Sequence, residues 1–138
     1  MFSTDRNQLR QVFFDAWQKH QKQLPLAPVE AQLIDIMLLH PEYHLFLDNP
    51  EAYQLQDFND VNPFLHMSLH LAICEQVTTN RPAGITEMHQ ALCHKFQDRH
   101  IAEHRMMDCL ADILWQAQQS GQMPDEKIYL ENLRGVCT

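Results

Sequence analysis

Apolar residues recur every three or four positions along most of the chain, a spacing that predicts helices rather than strands. Thr4 or Asp5 is expected to cap a first helix reaching about Gln21, with Leu9, Val12, Phe13, Ala16 and Trp17 on one face. Pro25 and Pro28 interrupt the pattern. Pro28 suits the first turn of a second helix, Val29 to about His40, with Leu33, Ile34, Met37 and Leu38 inward. Pro41 either kinks that helix or starts a new turn through Leu47, and the pattern leaves both open. Asp48 to Asp60 reads as a connector with a short helical turn around Glu51 to Leu55. Asn62 as N-cap and Pro63 at the first position open a helix to about Thr79, carrying Phe64, Leu65, Leu69, Ala72, Ile73 and Val77. Asn80 to Gly84 is a turn by composition. A fourth helix begins near Thr86 and Glu87, with Met88, Leu92 and Phe96 inward. Asp98 caps a fifth, Arg99 to Ser120, which Gly121 ends in a left-handed conformation. Pro124, Asp125 and Glu126 start a short last helix holding Ile128, Tyr129 and Leu133.

Short connections between long amphipathic helices place successive helices side by side in antiparallel fashion. The expected fold is all-α, a helical bundle of about four core helices with short flanking helices, in a single domain over 1–138. Composition agrees: hydrophobic residues make up 45%, and there are only 3 glycines among 138 residues. A net charge of −8 with 10 Lys and Arg provides no basic stripe for phosphate, so neither nucleic acid nor an anionic membrane is an expected partner. No apolar run approaches the roughly 20 residues that span a bilayer, and the first ten residues lack a signal-peptide layout. The expected location is therefore cytoplasmic. Cys74, Cys93, Cys109 and Cys137 form no CxxC pair and read as reduced core cysteines.

The histidines change the picture. There are 9, and His40 with His44, His66 with His70, and His100 with His104 are each four apart. Asp108 lies four beyond His104. Side chains four apart share a helix face, where both can reach one metal ion or a close pair. On the fifth helix Ile101, His104, Asp108, Ala111 and Trp115 form one stripe, expected to face the core. An ionised Asp in a buried stripe costs several kcal/mol unless it is paired or bound to a cation. His66 and His70 run on toward Cys74 and Val77. Glu30 shares a face with Ile34 and Met37, which His44 joins if Pro41 only kinks its helix, and His89 borders the core beside Met88 and Leu92. Imidazole with carboxylate is the ligand set of non-haem iron, manganese and catalytic zinc, and bundle interiors build such sites from facing helices. Glu42, Glu103 and Tyr43 are available to orient the ligands. The rival for any one of these pairs is a solvated or hydrogen-bonded histidine with no metal, as expected for His20, His94 and His100. No GxSxG, P-loop or GxGxxG motif is present, and a Cys74–His70 thiol pair reads better as core.

Several strings carry a family resemblance: His40-Pro-Glu-Tyr-His44, Asn62-Pro-Phe-Leu-His-Met-Ser-Leu-His70, Glu75-Gln-Val, Arg81-Pro-Ala-Gly-Ile85 and Ala102-Glu-His104. Leu114-Trp-Gln-Ala-Gln118, Pro124-Asp-Glu126 and Tyr129-Leu130 fit as well. Over nearly its whole length the chain resembles an uncharacterised bacterial family, domain of unknown function 1841. That resemblance implies no activity. Its pattern does include positions corresponding to Glu30, His40, His44, His66, His70, His89 and His104, with an acidic residue at Asp108. A looser, architectural likeness to hemerythrin-type bundles departs in two respects, the proline between His40 and His44 and the four-residue step to Asp108.

The first functional expectation is a non-haem, di-iron centre built from Glu30, His40, His44, His66, His70, His104 and Asp108, with His89 a further candidate. Two iron ions would bind or reduce dioxygen, peroxide or nitric oxide, which makes an oxidoreductase one option. Zinc or manganese is the alternative metal, zinc with Glu30 or Glu103 as base in a hydrolase-like site. The third expectation is an interaction module whose histidines are structural. The oligomeric state is left open, with a homodimer among the options.

Overall fold

The computed structural model describes residues 6–53 and 62–138. The expected caps at Thr4 and Asp5, and residues 54–60 of the expected Asp48–Asp60 connector, lie outside the described residues. Every regular element among those described is helical, so the chain is all-α. In order they are α1 (Arg6–Gln21), α2 (Pro28–Leu38), a 3₁₀ turn (Pro41–Tyr43), α3 (His44–Asp48), α4 (Pro50–Tyr53), α5 (Pro63–Thr79), α6 (Ile85–Phe96), α7 (Arg99–Ser120) and α8 (Glu126–Cys137). No described helix is long and apolar enough to cross a membrane. The chain divides into two compact units, up to Leu71 and from Ala72 to Thr138, with the division inside α5.

In the first unit α1 packs on α2 and α3. Phe13, Phe14, Ala16, Trp17, Leu33, Ile34, Ile36, Met37, Leu47, Phe64 and Met67 are buried. Phe64 meets Phe13 and Phe14 edge-on, with centroids 5.8 and 5.5 Å apart. Arg10 lays its guanidinium over the Phe64 ring and donates to the Tyr53 carbonyl at 3.2 Å. Each buried aromatic contributes about 2–3 kcal/mol relative to exposure. Leu38, expected inward, is 50% exposed because α2 ends there.

Pro41 decides that ending. It has no N–H for the carbonyl of Met37, and its ring crowds that carbonyl, so the helix stops and a 3₁₀ turn begins. The carbonyls of Ile36 and Met37, which accept from Leu39 N and His40 N in this last turn, also take histidines. His40 Nδ1 donates to Ile36 O at 2.8 Å, and His44 Nε2 donates to Met37 O at 2.8 Å. Of the two outcomes left open by the pattern, Pro41 therefore starts a new turn.

In the second unit α6, α7 and α8 pack against one another. Their core holds Ile85, Leu92, Ala102, Met106, Met107, Leu110, Ile113, Tyr129 and Leu133. Helix α7 has apolar residues on two opposite faces, and α6 and α8 cover the one bearing Met106, Leu110 and Ile113. Four of the five residues in the stripe expected to be internal are exposed instead: Ile101 and Trp115 are 47% and 59% exposed, Asp108 and Ala111 are exposed with them, and His104 is half-buried. The four cysteines are half-buried rather than core.

The helix ends follow the sequence closely. Asn62 Oδ1 accepts from Phe64 N and Leu65 N, Asp98 from Ile101 N, and Asp125 from Lys127 N and Ile128 N. Each such cap is worth about 1 kcal/mol. Gly121 stops α7 at φ +71, its N–H reaching Ala117 O at 2.9 Å. Gly84 enters α6 at φ +98, a conformation that disfavours any Cβ. Asn80 Oδ1 holds this turn by accepting from Gly84 N and Thr86 N.

Candidate metal centre

Three histidines meet in the first unit. His66 and His70, one turn apart on α5, face the same way, and His40 approaches them from the end of α2. The His40 ring lies 4.9 Å from that of His66 and 5.1 Å from that of His70, nearly perpendicular to both. One ring nitrogen from each lies within 4.8 Å of the others. His40 and His70 are completely buried, and His66 is half-buried.

The Ile36 carbonyl can only accept, so the 2.8 Å bond to it fixes a proton on His40 Nδ1. In the neutral ring the lone pair is then on Nε2. A metal-ligating histidine is commonly oriented in this way, by donating its other N–H to a backbone carbonyl. Tyr43 stacks on His40 at 5.4 Å and meets His66 edge-on at 5.7 Å, so it walls one side of the cluster. Burial, with the charge of Glu42 as a smaller cause, raises its hydroxyl pKa above the ordinary value. Tyr43 is thus a neutral phenol beside the imidazoles.

Two of the expected ligands in this unit, His44 and Glu30, turn to other partners. His44 points Nε2 at Met37 O and packs its ring on Trp17 at 4.6 Å, so it closes the end of α2. The break at Pro41 is what separates it from His40. Glu30 accepts from Lys19 Nζ at 2.8 Å and from Ala27 N at 2.9 Å. These two bonds, Lys19 first, hold its pKa below the usual carboxylate value. Its position at the start of α2 is that of a helix cap, and no described carboxylate of this unit joins the three histidines.

His89, His104 and Asp108 belong to the second unit. His104 is half-buried on α7, its ring 4.0 Å from that of His100, and Asp108 is exposed one turn on. His89 is buried on α6, with Nε2 2.9 Å from Glu103 Oε2. Arg99 Nε reaches the same oxygen at 2.9 Å, so a buried carboxylate receives two donors. Cys93 Sγ lies 3.6 Å from His89 Nε2. This is no activated thiol: burial first, and the charge of Glu103 next, push the Cys93 pKa up. Arg99 and Cys93 were not singled out by motif, although the four-residue step from Arg99 to Glu103 is readable as a helical ion pair.

A family model described as a domain of unknown function, DUF1841, matches residues 5–135. The chain belongs to this family. No curated protein and no solved structure matches it. The match spans every histidine discussed above, so the cluster on α2 and α5 lies within the DUF1841 region.

Proposed function

We propose that this DUF1841 protein binds one first-row transition-metal ion through His40, His66 and His70. The observation that supports this best is the convergence of three imidazoles, two of them fully buried, with His40 already oriented through Ile36. One buried imidazole is readily satisfied by protein. Three at this spacing have a donor set that imidazole-binding metals fit. A single ion is favoured over the iron pair, because bridging two ions calls for a carboxylate and Glu30 is held by Lys19 and Ala27.

Three protein ligands leave coordination positions for a small molecule. Iron in this setting would serve to bind or reduce a small oxidant or gas such as dioxygen, peroxide or nitric oxide. The all-imidazole set equally suits zinc, which gives the second reading, a colourless site that polarises a bound water.

Metal analysis by mass spectrometry on anaerobically purified protein, with a visible spectrum on air exposure, separates these readings. Near-stoichiometric iron with a band appearing in air supports the first, and colourless stoichiometric zinc the second. Folded protein that stays metal-free through reconstitution sinks both.

A further inference from the structure

We infer that the outer face of α7 is the contact surface for a second copy of this chain, packed antiparallel about Asp108. The α7 stripe has the amphipathic spacing of a buried face, yet Ile101, Asp108, Ala111 and Trp115 on it are exposed, with His104 half-buried. Ile101, Asp108 and Trp115 follow at seven-residue steps, so they lie within about 20° of one line along the helix, each roughly 10 Å from the next. Ile101 is 47% exposed and Trp115 59%.

The choice of a second copy comes from the symmetry of this face. A two-fold contact pairs residue i with j and j with i, and sets a residue on the axis against its own copy. With Asp108 on the axis, Ile101 of one subunit lies at the level of Trp115 of the other, and the reverse contact forms at the far end. Arg105 and Asp112 are exposed on the same flank of the line, three residues before and four after Asp108. The same two-fold brings Arg105 of each subunit between Asp108 and Asp112 of its mate. Both Arg105 side chains then flank the central pair of carboxylates, and each apolar end is covered by its opposite. A heterologous partner would need no such match of spacing and charge within one helix.

The side chains involved are free to engage. Asp112 accepts only from Gln116 of its own exposed turn, at 3.1 Å among the bonds seen, and Arg105 rests 5.9 Å from the Phe96 ring at the edge of the face. One helix pair is a small interface, so dissociation is expected in the micromolar range.

Sedimentation velocity on the full chain from about 1 to 100 µM tests this. A monomer–dimer equilibrium is expected. Trp115→Glu, with its helical circular dichroism unchanged, should remain monomeric. Arg105→Asp and Asp112→Arg should each weaken association about 10-fold, and the two together should restore it. The inference is overturned by a wild-type chain that is monomeric throughout, by a dimer indifferent to Trp115→Glu, or by a double reversal no better than the singles.

Discussion

Removing the carboxylate of Glu103 should destabilise the second unit far more than removing the cation that pairs with it. The Glu103 side chain is 4% exposed and its Oε2 receives His89 Nε2 and Arg99 Nε, both at 2.9 Å. In Glu103→Ala the imidazole of His89, itself 8% exposed, loses that carboxylate where water cannot readily replace it. An unsatisfied buried donor costs about 1–3 kcal/mol. The lost packing adds about 1 kcal/mol. Relief from burying a charge offsets part of this. The expected net loss is roughly 2–4 kcal/mol, or about 4 °C in Tm per kcal/mol for a chain of this size. Arg99 is different: its side chain is 74% exposed and returns to solvent when unpaired. Arg99→Ala should therefore cost less than about 1 kcal/mol. Thermal and urea unfolding followed by circular dichroism measure both, and His89→Ala with Glu103→Ala should cost less than the sum of the singles. The reasoning fails if Arg99→Ala is as costly as Glu103→Ala, or if Glu103→Ala lies within about 0.5 kcal/mol of wild type.

Three further outcomes follow from the geometry. Glu30→Gln removes a carboxylate whose folded-state pKa is depressed, chiefly by Lys19. Such a group stabilises the fold above its ordinary value of 4.5 and loses that contribution as pH falls through its lower folded value, so the variant's Tm deficit should be present at pH 7 and vanish in acid. Gly84→Ala places a Cβ at φ +98, where no neighbour lies within 4 Å, so its cost of about 1–2 kcal/mol in urea unfolding is backbone strain alone. Trp17→Phe keeps the ring buried but deletes the 2.7 Å bond from Nε1 to Asp48, which should cost about 1 kcal/mol by the same measurement.

Much of the fold was legible because it is set locally. Asn62, Asp98, Asp125 and Gly121 mark helix ends through their own side chains or backbone freedom, and these act over three or four residues. Which face of α7 turns inward was not local. Ile101, Ala111 and Trp115 satisfy helical periodicity as well as Met106, Leu110 and Ile113 do, and only packing with α6 and α8 distinguishes them. The site shows the same division. The four-residue step from His66 to His70 places both on one face of an uninterrupted helix. The identical step from His40 to His44 crosses a proline, and the two rings turn to different carbonyls, Ile36 and Met37. Glu30 looked like a ligand by face, but its place three residues into α2 gives it the backbone N–H of Ala27 and the ammonium of Lys19. Which of two available partners a carboxylate takes is settled in three dimensions.

The central claim is that His40, His66 and His70 hold a metal ion, and calorimetric titration of chelator-stripped protein with Zn²⁺, and with Fe²⁺ under anaerobic conditions, tests it most directly. The account predicts one ion per chain, and affinity reduced about 100-fold or more in His66→Ala, the half-buried member whose loss least disturbs the core. Binding should persist in His94→Ala, an exposed histidine outside the cluster. No saturable binding by folded wild-type protein, or binding that His66→Ala leaves unchanged, would contradict it.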